Sequence, residues 1–138
     1  MADRVNQTLQ SLPNFQFCSK YILAEKLWVV VFPWAESKGL PVLGVKIKLE
    51  KYNNQSKIWT FVDEKNTDTN GRISDFLPSE KDNLGIFKLT YFTSDYFKKN
   101  NTESFYPFIE VVFEIKDKNH YHVPITLSAY GYSTYRGS

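Results

Sequence analysis

The sequence predicts an all-β chain, an antiparallel β-sandwich with one short helix, and three observations carry that expectation. Apolar and polar residues alternate over several short runs, the period-2 pattern of strands with one buried face. Turn residues such as Asn53, Asn54 and the pair Asn70-Gly71 punctuate those runs. Helical spacing is nearly absent, and short strands separated by turns point to a sandwich.

Residues 1–26 have no clean period, and Pro13 with scattered polar residues predicts a divergent, flexible lead-in. Residues 19–27 within it carry Tyr21, Ile22, Leu23 and Leu27 and could form a short helix. The sandwich domain is expected over 27–138. It opens with LWVVVFPW, residues 27–34, whose β-branched and aromatic content reads as a buried strand. The run is far shorter than the roughly 20 apolar residues that span a bilayer. It also starts too far from residue 1 for a signal peptide. Secretion is therefore not expected, and the sequons at Asn6, Asn54 and Asn100 carry no weight.

Residues 45–51 alternate Val45, Ile47 and Leu49 with Lys46, Lys48 and Glu50, a half-buried strand. Residues 58–63 follow as a strand after the Asn53-Asn54 turn. Residues 64–71 form a polar loop that ends in Asn70-Gly71. Residues 85–93 alternate around Phe87, Leu89 and Tyr91. Residues 94–100 (SDYFKKN) begin with a helix-capping type and read as the short helix. The cleanest strand is 108–116, with Ile109, Val111, Phe113 and Ile115 on one face.

Composition excludes several classes of function. The 138 residues carry 17 basic and 15 acidic side chains, interspersed, for a formal charge of +2. A nucleic-acid or anionic-membrane partner would call for Lys and Arg clustered on one face. The one cysteine, Cys18, excludes an intrachain disulfide and fits a reducing compartment or indifference to redox state.

Chemistry concentrates in the last stretch, HYHVPITLSAYGYSTYRGS, residues 120–138. Tyr121, Val123, Ile125 and Leu127 form one apolar face, while His120, His122, Thr126 and Ser128 lie on the other. Opening an amide-like bond needs a base, a donor for developing charge, and groups that fix the substrate. His122 is the candidate base; a structural histidine bonded to a neighbouring Thr or to backbone is the other reading of the same pattern. His120 shares its face, but zinc wants three or four ligands, and two histidines with a distant Cys18 do not supply them, so no metal is expected. Arg72, after the Asn70-Gly71 turn at the mouth of a hairpin, could offer paired donors to a planar anion. The commoner reading is a solvated loop arginine.

The ending Tyr135-Arg136-Gly137-Ser138, with His122-Val123-Pro124, resembles the C-terminal signature of the 5-hydroxyisourate hydrolases, the transthyretin-like enzymes of urate breakdown. The resemblance extends over GLPVLGVKIKLE (39–50), Trp59, Asn70-Gly71-Arg72 and FYPFIEVVF (105–113). It implies a transthyretin-like (prealbumin-like, Ig-like) sandwich, a homotetramer, and hydrolysis of 5-hydroxyisourate to 2-oxo-4-hydroxy-4-carboxy-5-ureidoimidazoline without metal or cofactor. It further implies that His122, Arg72 and Ser138 are catalytic, and that Arg72, Tyr135, Arg136 and Gly137 bind substrate. The family carries one more active-site histidine in its opening strand. Counting back without gaps from Gly39 puts Phe32 in that place. Phe cannot transfer a proton, and loss of such a group typically costs ~10²- to 10⁴-fold in rate. Beside an impaired hydrolase stands a second reading, a non-enzymatic transthyretin-like small-ligand binder or inactive paralogue. The cytosol is the default compartment, with the peroxisome the alternative that the family's pathway suggests.

Overall fold

The structure, a computed structural model, describes residues 27–33, 42–77 and 83–137, with only the backbone of 32 and 33. The lead-in, Cys18 and Ser138 lie outside the described residues. So does the helix expected over 19–27, except for Leu27, which opens a strand.

Among the described residues, eight strands and one helix follow in order: β1 (Leu27–Pro33), β2 (Lys46–Asn53), β3 (Ile58–Asn66), β4 (Arg72–Ile73), β5 (Gly85–Phe92), α1 (Thr93–Lys99), β6 (Ile109–Ile115), β7 (Tyr121–Leu127) and β8 (Tyr132–Thr134). They make two four-stranded sheets, ordered β4-β1-β7-β8 and β3-β2-β5-β6. The pairings are antiparallel with one exception: β1 runs parallel to β7. No helix among the described residues is long and apolar enough to cross a membrane.

The alternation expected from the sequence places the core. Ile47 and Leu49 of β2, with Phe87, Leu89 and Tyr91 of β5, meet Leu27, Val29 and Val31 of β1 and Val123, Ile125 and Leu127 of β7 between the sheets. Each fully buried aliphatic side chain of this kind contributes about 1.5–3 kcal/mol. Burial fixes register, because a one-residue slip would turn every core side chain to the outer face.

Three local expectations need correction. Residues 64–66 continue β3 rather than belonging to the polar loop expected over 64–71. Ser94 does not cap α1: β5 runs straight into the helix, Phe92 stands at the N-cap without a side-chain bond, and Ser94 Oγ donates to the Pro107 carbonyl at 2.6 Å. Arg72 is not at the mouth of a hairpin. β3 and β4 belong to different sheets, so the Asn70-Gly71 turn carries the chain from one sheet to the other.

Hydrogen bonds hold that crossing. Buried Thr67 donates its hydroxyl to the Val42 carbonyl (2.7 Å) and accepts from the Val45 amide (2.9 Å), while its own amide donates to the Val45 carbonyl (3.0 Å). Asp68 Oδ1 then accepts from the amides of Asn70 (2.8 Å) and Arg72 (3.0 Å). Gly71 takes φ +71°, which glycine adopts without steric cost, and its carbonyl accepts from the Val31 amide at 2.8 Å. Arg72 therefore enters β4 already docked against β1.

Candidate functional site

Strand pairing assembles the site on the outer face of the β4-β1-β7-β8 sheet. Residues directly opposite one another share a face. Arg72 stands opposite Val30, and Val30 opposite Pro124. One pleat earlier on β1, Trp28 stands opposite His122. Arg72 and His122, 50 positions apart in the chain, are thus brought to one face with Trp28 between their strands.

Trp28 packs near three basic side chains of this face. The Arg72 Cζ lies 5.8 Å from its ring centroid, the His120 ring meets it edge-on at 4.6 Å, and the His122 ring at 6.1 Å. Arg72 is exposed and forms no ion pair among the described residues, which leaves its charge available to an anion.

His122 is half-buried, and its Nε2 is enclosed with no hydrogen-bond partner among the described residues. Burial, and then the positive charge of His120 and of Arg72, hold its imidazole below the ordinary histidine value. At neutral pH the ring is therefore uncharged, with a free lone pair on one nitrogen, as a general base must be. Both histidines lie on the non-core face, as the alternation predicts.

The C-terminal segment closes on His122. The Gly137 amide donates to the His122 carbonyl at 2.8 Å. A Cβ at position 137 would collide with the imidazole, reaching Nδ1 and coming within 2.7 Å of Cγ. Only glycine allows the chain this close. Arg136 turns elsewhere, with its guanidinium 4.5 Å from the ring centroid of Tyr121. A cavity of about 420 Å³ opens beside this segment, lined by Phe113, Tyr121, His122, Thr134, Tyr135 and Arg136 among others. Arg72 is not part of that lining, so His122 is the residue common to the cavity and to the Trp28 face.

Phe32 pairs with Thr126, four positions along β1 from Trp28. Sequence reasoning missed Trp28, because it lies in a continuous apolar run where alternation gives no contrast. Among the described residues, no group of three or more His, Cys, Asp or Glu side chains is placed to hold a metal ion.

Comparison with known proteins bears on the family and the fold. The family model described as Transthyretin: HIUase/Transthyretin family matches residues 34–137. A probable 5-hydroxyisourate hydrolase of Caenorhabditis elegans is 48% identical over 103 residues, covering 74% of this chain and 75% of that protein. The 5-hydroxyisourate hydrolase of Mus musculus is 37% identical over 103 residues, covering 74% and 87%. In fold, the chain is similar to sea bream transthyretin, crystallised with thyroxine, at a TM-score of 0.74 and 24% identity over 80% of this chain and 93% of that one. The family match begins at residue 34, so Trp28 and all of β1 precede it.

Proposed function

The chain belongs to the HIUase/transthyretin family, and on that premise we propose that it hydrolyses 5-hydroxyisourate to 2-oxo-4-hydroxy-4-carboxy-5-ureidoimidazoline. The observation that carries this reading is His122, which lines the cavity and shares a sheet face with an unneutralised Arg72.

His122 accepts a proton from water as the water oxygen bonds to the ring carbonyl carbon. The carbon–nitrogen bond of the ring then breaks, the freed nitrogen takes up the proton from His122, and the carboxylic acid formed releases its own proton to solvent, leaving a carboxylate. Arg72 binds the anionic ring and offsets the charge that gathers on the carbonyl oxygen. Tyr135 and Ser138 contribute hydroxyl hydrogen bonds, while Arg136 and Gly137 complete the binding segment. No metal or cofactor enters this scheme. The protein works as a homotetramer in the cytosol, a reducing compartment that suits the lone Cys18.

A second reading, a non-enzymatic binder of small aromatic ligands, draws its support from Trp28, an aromatic group opposite His122 where a second proton carrier would otherwise fit. The decay of freshly generated 5-hydroxyisourate, followed by ultraviolet absorbance, separates the two. Decay faster than buffer that is lost in Arg72→Ala supports the hydrolase. Decay no faster than buffer moves the reading to the binder. Light scattering tests the assembly, and a monomer would count against the tetramer.

A further inference from the structure

β1 is the inner strand between β4 and β7, so a side chain on its outer face lies between what those neighbours carry. At Trp28 the neighbours carry Arg72 on one side and His120 and His122 on the other, and all three meet one indole. Two of the three stand at the margins of their elements. Arg72 stands on a two-residue strand at the sheet edge with an exposed side chain, and His120 sits just before β7 begins. A guanidinium is attracted to the electron-rich face of an indole, and an imidazole packs well edge-on to it. The indole is half-buried and unable to exchange a proton at ordinary pH. It can restrain its neighbours but cannot take over their chemistry.

We propose that Trp28 is a positioning residue, holding the Arg72 guanidinium and the His122 imidazole at a separation that receives a planar, anionic heterocycle. This deepens the hydrolase reading and rests on it for the identity of the substrate, though the positioning itself concerns binding. Arg72 without the indole retains its charge but loses its place. The consequence falls mainly on affinity, because the base at His122 is still present.

The test compares wild type with Trp28→Leu, which keeps apolar bulk without a π face, and Trp28→Phe, which keeps a smaller one. For Trp28→Leu we expect KM for 5-hydroxyisourate to rise about tenfold, as loss of the cation–π contact together with the edge-on imidazole packing implies, with a smaller change in kcat. Trp28→Phe should stay within about threefold of wild type, a rescue that a purely space-filling role would not order in this way. If Trp28→Leu fails to fold, Trp28→Met, which also keeps apolar bulk without a π face, takes its place with the same expected rise.

A readout free of turnover runs alongside: nuclear magnetic resonance titration with urate, a stable planar purine anion, following the Arg72 Nε–H and the His122 ring signals. Urate should shift both in wild type, with affinity about tenfold weaker in Trp28→Leu. KM and urate affinity unchanged in both variants would overturn the positioning role even if the enzyme is active. A wild type that does not turn over, yet binds urate in a Trp28-dependent way, would sink the hydrolase reading and keep the positioning role. A wild type that neither turns over nor binds urate would sink both.

Discussion

The backbone of Gly137 lies against the ring of His122: its amide bonds to the His122 carbonyl at 2.8 Å, and no side chain fits between the glycine Cα and the imidazole. The contact explains physically why a glycine stands in a segment otherwise made of Tyr, Arg and Ser. It also makes the C-terminal segment a wall that fixes the ring's orientation.

Gly137→Ala should therefore displace either the imidazole or the segment. Overpacking of this kind costs about 1–3 kcal/mol, and the loss of ring placement should lower kcat by at least about tenfold. Thermal melting and steady-state kinetics read the two effects separately. A variant with wild-type kcat would show that the segment does not orient His122.

The pH dependence follows from the same ring. Burial, His120⁺ and Arg72⁺ all disfavour protonation of His122, so the acid limb of kcat/KM should fall below the ordinary histidine value. Removing the positive charge in Arg72→Gln relieves one of these effects, and the limb should move up in pH, toward that value. Stability has a matching sign. A histidine depressed in the native state contributes stability above its unfolded pKa of about 6.5, and that contribution is lost as pH falls through the lower native value. Acid titration of the melting temperature should accordingly flatten in His122→Gln. A limb that stays in place in Arg72→Gln would show that the two groups do not interact.

The sequence made some of this site legible and hid the rest. Alternation from His120 to Leu127, interrupted at Pro124, placed both histidines off the core, because the period-2 pattern survives in a strand with one buried face. Asn70-Gly71 located the turn before Arg72, since φ +71° at Gly71 leaves a local chemical mark. The turn could not say that the chain was changing sheets rather than closing a hairpin; that depends on Thr67 and its partners at Val42 and Val45, more than 20 positions away. Trp28 was hidden for two reasons. Its strand is apolar on both faces, and its parallel pairing with β7 joins segments too far apart for any local pattern to set the register.

Thr67 ties these levels together, and Thr67→Val tests it. The change keeps the shape but leaves the Val42 carbonyl and the Val45 amide without the hydroxyl, in a buried position. Each buried group left unsatisfied costs about 1–3 kcal/mol, so a destabilisation of roughly 2–6 kcal/mol is expected in chemical denaturation. Because Asp68 and Gly71 set the entry of Arg72, KM should rise as well, ahead of kcat. Unaltered stability would show that the crossing is held by other contacts.

Two substitutions on β1 decide which of its residues faces the chemistry. Counting along the sequence puts Phe32 where the family has a histidine, whereas strand pairing puts Trp28 opposite His122 and Phe32 opposite Thr126. The two positions are about 13 Å apart along a strand, too far for one imidazole to serve from either. A second proton carrier adds ~10²-fold or more when it is within reach of the substrate. Trp28→His should therefore raise kcat, with KM rising too as the hold on Arg72 is lost, while Phe32→His should give a gain at least about tenfold smaller. The reverse order, a large gain at 32 and none at 28, would mean that the spacing in the sequence, not the pairing of Trp28 with His122, marks the catalytic position on this strand.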